Sequence, residues 1–364
     1  MRTRLLSLAV ILAAAAPLAA QDPSSTAVIL DPQFVNYKLG TGSTARTISQ
    51  LGVPFAVIIP FSDRFNIDIS SSYANSQVKV PGQATSTITG LTDTQLRGNL
   101  TLGDNAAIIT LGVNLPTGQY KVPDGQQAAA GQIGNDFLIY PVTSMGAGLA
   151  ATGGIGFAQN LGTWNLGVGA SFRYSTAFDA YVVQTSTLRF TPGNEARVRV
   201  GLDRPVGDGS FNVSVTYSKF GKDQADTYTA PTGDRALAQT ALAIPMGSGS
   251  DLLLSAWDLY RATSSQVGPE PQTTSPWENV GNAGVAMGWQ VGDFYVQPNI
   301  EGRIWNVGGN KAGLLTNAGV RLRFAWAGLS VNPSATYSFG SLYTIGQPAT
   351  DVTGFKASLL IRLH

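Results

Sequence analysis

The sequence predicts an all-β protein, a transmembrane antiparallel up-and-down β-barrel of about 16 strands. Stretches of alternating polar and apolar residues run along most of the chain, and short turns alternate with longer polar connectors. Bacterial outer-membrane barrels have this asymmetry, with short periplasmic turns and longer external loops. Charged residues make up 12% of the chain, which is about half the usual share in soluble domains.

The N-terminus predicts export. Two Arg residues precede an apolar run from Leu5 to Ala16, which is too short to cross a bilayer. We therefore predict a signal peptide over residues 1–20, cleaved near Ala20, and a single barrel domain over 21–364. An uncleaved N-terminal anchor helix is the alternative. The chain has no Cys, so it offers neither disulfides nor thiolate ligands.

The strand pattern is strictest over 95–102, 211–218 and 329–338, where polar residues alternate with apolar or small ones. A period of two indicates strands with two unlike faces, one for lipid and one for the lumen. We place fifteen strands from residue 48 onwards. Closure needs an even number, which adds a first strand at 27–39 and gives about sixteen. Fourteen is the alternative, if weak strands near 145–160 are miscounted.

The connectors divide into two kinds. Short turns carry Gly, Asp or Asn, which tolerate hairpin dihedrals. Longer polar connectors are predicted near 78–91, 117–144, 177–192, 221–233, 262–278, 306–312 and 339–350. We interpret the longest, 117–144, as a mobile external loop, with a constriction folded into the barrel as the alternative. Aromatic residues near strand ends, among them Trp257, Trp289, Trp305 and Trp326, are interpreted as interfacial girdles.

Alternation also predicts which charged residues face the lumen, because Leu96, Leu100 and Leu102 are assigned to lipid. The candidate lumen residues are Arg97, Arg173, Arg197, Arg199, Asp203, Glu301, Arg303, Arg321 and Arg323. Basic residues outnumber acidic ones in this set. One interpretation is a constriction that mildly favours anions, and the other is a set of ion pairs that stiffens the wall.

A stretch of about thirty residues carries a family resemblance. Leu91-Thr92-Asp93-Thr94 opens a strand, and a later strand ends in Leu115-Pro116-Thr117-Gly118. This stretch resembles the outer-membrane channel-like proteins named for the meta-cleavage pathway of phenol degradation. Their "G-D-T" and "K-L-P-T-G" motifs are matched here except that Thr92 replaces the Gly and Asn114 the Lys. The resemblance implies a barrel that passes small organic molecules.

No residue pattern indicates an enzyme. The only His is His364, so His-dependent catalytic triads and His-ligated metals are not expected, and no cofactor is predicted. Without residues 1–20 the chain has 21 basic and 22 acidic residues, which argues against nucleic acid as a partner. Expected partners are outer-membrane lipid, small solutes and the outer-membrane assembly machinery. Oligomeric state does not follow from the sequence.

The function predicted from these observations is a passive channel for small solutes or small organic molecules, in the outer membrane of a Gram-negative-type bacterium. One alternative is a barrel with no transport role whose external loops bind a surface partner. Another is a secreted soluble β-protein. An open lumen would favour the first, and a blocked lumen the second.

Overall fold

The computed structural model describes residues 25–363 apart from 43–44, 104–105, 184–185, 227, 248 and 267–272. The predicted signal peptide and His364 lie outside the described residues. Sixteen antiparallel strands close into one barrel, which confirms the predicted fold class and excludes the fourteen-stranded alternative.

The barrel strands are numbered in chain order, and two of them consist of two segments. They are β1 (Ala27–Leu30 and Gln33–Leu39), β2 (Arg46–Ser62), β3 (Phe65–Lys79), β4 (Ser86–Leu91 and Thr94–Leu102), β5 (Ala107–Leu115), β6 (Ala150–Leu161), β7 (Trp164–Ser175), β8 (Glu195–Val206), β9 (Gly209–Phe220), β10 (Arg235–Gly247), β11 (Ser250–Arg261), β12 (Glu278–Val291), β13 (Phe294–Val307), β14 (Asn310–Trp326), β15 (Leu329–Leu342) and β16 (Thr350–Leu363).

Closure joins the first strand to the last. Each strand pairs with the next along the chain, and β16 pairs with β1 through contacts such as Ser358 opposite Gln33. The even strand number makes this last pairing antiparallel like all the others. No barrel strand is left with an open edge, which is what a membrane-spanning sheet requires.

The connectors differ at the two ends of the barrel. One end has tight turns, such as Asp63–Arg64 and Gly292–Asp293, and the other has the longer connections. The prediction of a long connector near 306–312 is wrong, because only Gly308 and Gly309, both with positive φ, join β13 to β14. Tight turns mark the periplasmic end and longer connectors the outer end.

Three longer connectors contribute strands to a small sheet at the outer end. Its strands are Val122–Pro123, Phe178–Val183, Ser186–Thr191, Lys222–Ala225 and Tyr228–Pro231. The described residues contain one α-helix, α1 (Gln127–Ile133), which follows a 3-10 turn at Asp124–Gln126. In this part of the chain no helix has the length and apolar character needed to cross a membrane.

The outward face of the barrel is apolar. Large apolar side chains are exposed on it around the wall, for example Leu100, Val168, Val215 and Ile300. An exposed apolar belt of this extent is unfavourable in water and favourable in lipid. Outward charged residues such as Lys219 stay near strand ends, where the headgroups begin.

The segment from 116 to 149 folds into the barrel, so the interpretation of 117–144 as a mobile external loop is wrong. The segment contacts β1 through Tyr37 and β13 through Arg303, strands that lie well apart around the wall. Only a segment inside the barrel can reach both. The largest buried apolar cluster of the described residues therefore lies within the outer half of the barrel, between this segment and the inward face. We call residues 116–149 the plug segment.

Candidate functional site

The plug segment leaves and rejoins the wall at one carboxylate. Asp93 sits between the two segments of β4 and is almost fully buried. One of its oxygens accepts a hydrogen bond from the Gly118 amide at 3.0 Å, and the other accepts one from the Ala147 amide at 2.6 Å. Asn114 donates to the same carboxylate at 2.9 Å. A single side chain thus holds both ends of the plug segment together.

We call this attachment point, formed by Asp93, Asn114, Gly118 and Ala147, the neck. The motif behind the family resemblance builds the neck. The Thr94 amide donates to the Thr117 hydroxyl at 2.8 Å, which ties the start of one strand to the end of another. Gly118 is required, because a Cβ there would lie 2.2 Å from the Met145 carbonyl oxygen and 2.6 Å from the Asp93 nitrogen. The distant "T-D-T" and "L-P-T-G" stretches are therefore parts of one structural device. Pro116-Thr117-Gly118 is more than an ordinary strand exit.

Polar side chains of the wall hold the plug backbone. Gln50, which is fully buried, accepts from the Val142 amide and donates to the Val142 carbonyl, both at 2.8 Å. Ser86 donates to the Gly125 carbonyl at 2.7 Å. These bonds satisfy backbone groups that have no strand partner inside the barrel, which is necessary because unsatisfied buried groups are costly.

Further contacts hold the centre of the plug segment. The Tyr37 hydroxyl donates to the Leu138 carbonyl at 2.8 Å, and the Arg303 guanidinium donates to the Phe137 carbonyl at 2.5 Å. Arg261 forms ion pairs with Asp136 of the plug segment and, at 3.1 Å, with Glu278 of the wall. Removing one member of such a buried pair leaves an uncompensated charge, so these residues fix the position of the plug.

Aromatic packing completes the closure. Phe137 stacks on Trp305 with ring centroids 5.6 Å apart, and a Cβ on Gly313 would approach the Phe137 ring to 2.7 Å. Trp257 lies against the Arg303 guanidinium, 5.6 Å from ring centroid to Cζ. The interpretation of Trp257 and Trp305 as membrane girdles is wrong, because both face inward against the plug and its anchors.

The periplasmic half of the inward face is open on β8 and β9. Along β8 the inward side chains change from Glu195, which is 5% exposed, through the partly exposed Arg197 to exposed Arg199 and Asp203. Along β9 they change in the same direction, from buried Ser218 to exposed Asn212. The described part of the plug segment therefore fills only the outer half, and below it lies a polar vestibule.

A cavity lies on the outer side of the plug. Its volume is about 310 Å³, and polar and apolar groups contribute about equally to its walls. Ile88 of β4, Val122, Ile133 and Met145 of the plug segment, and Tyr181 of the external sheet line it. Burial raises the pKa of Tyr181 to about 12, so its phenol stays neutral at physiological pH. The cavity suits a small, largely uncharged molecule.

The candidate lumen residues from the sequence fall into two sectors of the wall. Arg173, Arg197, Arg199 and Asp203 lie on β7 and β8, whereas Glu301, Arg303, Arg321 and Arg323 lie on β13 and β14. Arg97 lies on β4, with its Nε 3.8 Å from Asp68. The pairing register places all of them on the face that carries the plug contacts.

Some of these residues form ion pairs, and others contact neutral side chains. Arg197 donates to Glu195 at 2.7 Å, and Arg303 donates to Glu301 at 3.1 Å. Arg199 contacts Ser214 at 3.4 Å, and Arg323 lies over the Tyr295 ring at 4.4 Å. Arg197 and Arg303 thus have acidic partners, whereas the contacts given for Arg199 and Arg323 are with neutral side chains.

Sequence reasoning missed the residues that hold the plug, chiefly Tyr37, Gln50, Asp93 and Arg261. Tyr37, Gln50 and Arg261 alternate with outward residues as any inward residues do, so the local sequence does not show that they hold a plug. Asp93 differs, because it interrupts a strand within the quoted motif. In the described ranges no group of three or more His, Cys, Asp or Glu side chains could hold a metal ion.

No family model matches the chain, and no curated protein matches it. Solved structures do match. The structure described as "Bacterial polysaccharide outer membrane secretin" aligns with a TM-score of 0.50 at 8% identity, over 94% of this chain and 99% of that one. "TodX deltaS2S3 mutant monoaromatic hydrocarbon channel" aligns at 0.47 and 8%, over 94% and 91%. A Pseudomonas aeruginosa FadL homologue aligns at 0.46 and 11%, over 93% and 90%.

The chain lies in the outer membrane. The fold match to an outer-membrane barrel agrees with the apolar outward belt and the closed wall. Identities this low show the fold alone. The solute and the state of the lumen have to be inferred from the geometry of the site.

Proposed function

We propose that the protein is a passive, gated channel for small organic molecules, and that the plug segment is the gate. One observation carries the proposal. A single chain segment, which also supplies most of the walls of a cavity with mixed polar and apolar lining, separates the outer side of the barrel from a polar vestibule on the periplasmic side. Displacing that segment would join the two spaces into a path through the barrel.

The cavity limits the size and polarity of the solute. An apolar cavity of about 150 Å³ is enough to bind benzene, and the cavity here, at about 310 Å³, leaves room for substituents. Polar groups such as Gln119 and Thr143 contribute about half of its lining. Small molecules with an apolar body and a few polar groups fit this description. The resemblance of the neck motif to channel-like barrels of phenol degradation supports the same solute class.

The candidate lumen residues would line the lower part of the path. Exposed Arg199 and half-exposed Arg97 face the vestibule, and Asp203 and Asp68 offset part of their charge. An excess of fixed positive charge raises the local concentration of anions. We therefore propose a modest anion preference in the periplasmic half of the path.

The alternative is a permanently closed barrel whose external sheet binds a surface partner. The number of bonds to the plug favours it, because Asp93, Gln50, Tyr37 and Arg303 all hold plug backbone directly. The two functions differ in whether the plug moves, and an engineered lock can test that difference.

A disulfide between Gly52→Cys and Pro141→Cys would lock the plug. An ideal Cβ at Gly52 lies 2.9 Å from the Pro141 Cβ, so a shift of roughly 1 Å gives the separation of a disulfide. The chain has no Cys that could compete. Proteoliposomes would report uptake of benzyl alcohol and of a small sugar under oxidising and reducing conditions, with the single variant Gly52→Cys as the control.

We expect the oxidised double variant to lose most of its uptake and to regain it with reductant, while the single variant is unaffected. Equal uptake in the oxidised and reduced states would show that the plug is not the gate. Absence of uptake in every protein, including the unmodified chain, would favour the closed-barrel alternative.

A further inference from the structure

Directly below the plug, one wall of the barrel presents a row of hydrogen-bond donors. We define the donor row as Arg321, Ser334, Ser358, Gln33 and Lys356, on neighbouring strands β14, β15, β16 and β1. The register sets Arg321 opposite Ser334, Ser334 opposite Ser358, and Ser358 opposite Gln33. Lys356 lies one inward position nearer the plug, opposite Val35.

The serines of the row leave a donor for a ligand. Their hydroxyl oxygens are 2.6 Å apart, so one hydroxyl donates to the other. The serine that accepts keeps its own proton, which can then point into the lumen. The two hydroxyls thus form an oriented donor beside the Arg321 guanidinium.

Lys356 has electrostatic neighbours but no direct partner. Arg303 and Arg321 repel its charge, and Asp31 and Glu301 attract it. Among the described residues, the Lys356 amine forms no hydrogen bond or ion pair. The nearby carboxylate of Glu301 is instead bound by Arg303 and Asn317. Burial and the two nearby guanidinium groups disfavour a charged amine here, so a bound anion would supply the charge partner that Lys356 lacks.

The balance of charge in this sector is positive. Among the described residues, Arg303, Arg321, Arg362 and Lys356 interact electrostatically with two carboxylates, Asp31 and Glu301. Asp31 accepts from Gln33 at 2.5 Å, and its other oxygen is buried without a partner. A bound anion would offset the uncompensated positive charge, whereas a bound cation would add to it.

The row lies close to the exit from the plug. Tyr37, whose hydroxyl holds the plug at Leu138, is the next inward residue after Val35 on β1. Alternate residues of a strand are about 7 Å apart, so Lys356 lies roughly that distance below this anchor. A molecule released from the plug would meet the donor row first.

We propose that the donor row is a binding site for the carboxylate of a small organic acid. This inference rests on the proposed function for the route, and it adds the class of substrate. The row would hold the carboxylate of the acid after the plug has moved. A planar carboxylate can accept bonds from Arg321 and from the serine hydroxyl together.

Binding can be tested without transport. Benzoate and benzamide, which share a ring and differ in charge, would be titrated calorimetrically into the detergent-folded protein. We expect benzoate to bind and benzamide to bind at least about ten-fold more weakly, since charge-assisted hydrogen bonds account for a difference of that order. Arg321→Gln with Lys356→Gln should weaken benzoate binding by about ten-fold or more.

Three controls keep the test specific. Lys38→Gln with Lys219→Gln removes the same charge from exposed outward positions near strand ends and should leave benzoate affinity within about two-fold, a small change in free energy. Lys356→Arg should retain binding. Heat-dependent gel migration would confirm that each variant is a closed barrel.

Several results would overturn the inference. They are equal affinity for benzoate and benzamide, equal loss in the two double variants, or no binding by the unmodified chain. Inorganic phosphate that displaces benzoate at equal concentration would make the row a general anion site and refute the organic-acid assignment. Benzoate binding without uptake in proteoliposomes would support the inference and refute the proposed channel.

Discussion

The two halves of this barrel use the same strands in opposite ways. In the outer half, inward residues such as Ile48, Leu315 and Val352 are apolar and fully covered by the plug segment. In the periplasmic half, inward residues on the same strands, such as Arg321 on β14, are polar. The outer half therefore has a packed core like that of a soluble domain, whereas the periplasmic half has a solvated wall.

This contrast teaches that the closed state is stabilised locally. Deleting outer-half contacts should loosen the plug and leave the barrel, because the wall is held by its own strand pairs. Removing inward side chains of the periplasmic half should change the charge and polarity that a solute meets there, and the plug should stay in place. Four predictions test this separation, from the largest expected effect to the smallest.

Phe137→Ala should release the plug. The change removes a buried aromatic ring that stacks on Trp305, and such losses cost about 3–5 kcal/mol. Limited proteolysis of the folded protein should then cleave within the plug segment, while the barrel still migrates as a compact form on unheated gels. Phe157→Ala, at an outward position that is 56% exposed, is the matched control. A plug that stays as resistant as the unmodified one would contradict the packed-core description.

Leu322→Arg should destabilise the barrel by about 2–4 kcal/mol if it lies near the bilayer midplane, because it puts a charge into lipid. The residue lies on β14 between inward Arg321 and Arg323. The control is Asn299→Arg, which puts the same side chain on the inward face of β13. Equilibrium unfolding in lipid vesicles would give both free energies of unfolding. A larger loss for Asn299→Arg would mean that the faces are reversed.

Arg197→Gln together with Arg199→Gln should lower the anion preference without changing assembly. Arg199 is exposed to the vestibule, while Arg197 is held by Glu195, so we expect most of the effect from Arg199. Reversal potentials in a salt gradient, measured on the protein with the plug released by Phe137→Ala, would report the change. Identical potentials would assign both residues a structural role only.

Lowering the pH should stabilise the external sheet slightly. Burial raises the pKa of Asp223 above its ordinary value, although the Gly193 amide and the Thr232 hydroxyl favour its charged form. A carboxyl with a raised folded-state pKa costs stability above that pKa, and the cost disappears as the pH falls towards the unfolded value. The hydrogen-exchange protection factors over Lys222–Ala225, which correct for the intrinsic effect of pH on exchange, should therefore rise on mild acidification, and Asp223→Asn should abolish this rise. Lower protection factors in the unmodified chain would contradict this sign.

The lipid-facing side could be predicted from the sequence because side chains of a strand alternate with a period of two. The strand number could be predicted because closure of the barrel needs an even count. The first strand was found only by requiring an even count, and the β16–β1 pairing confirms it. Alternation also set Leu96 and Leu100 apart from Arg97. The structure exposes both Leu side chains on the outward face.

The plug could not be predicted, since an apolar inward residue resembles a lipid-facing one in a sequence. Val35 faces the plug and its neighbour Phe34 faces outward, yet both are apolar, so the two faces are not distinguished locally. Trp257 and Trp305 resemble interfacial aromatic residues in the sequence for the same reason. The sequence predicts a longer connector at the Gly308–Gly309 turn because polar residues flank it.

The neck at Asp93 has a consequence for how such barrels can diverge. Both ends of the plug segment end on one carboxylate, so the wall presents the same two attachment points whatever lies between them. Residues between Gly118 and Ala147 can therefore be lengthened, shortened or replaced without a change in strand register. The neck therefore allows the segment inside the barrel to be replaced as one unit. Selection can exchange the occupant of the lumen while the lipid-facing shell is inherited unchanged.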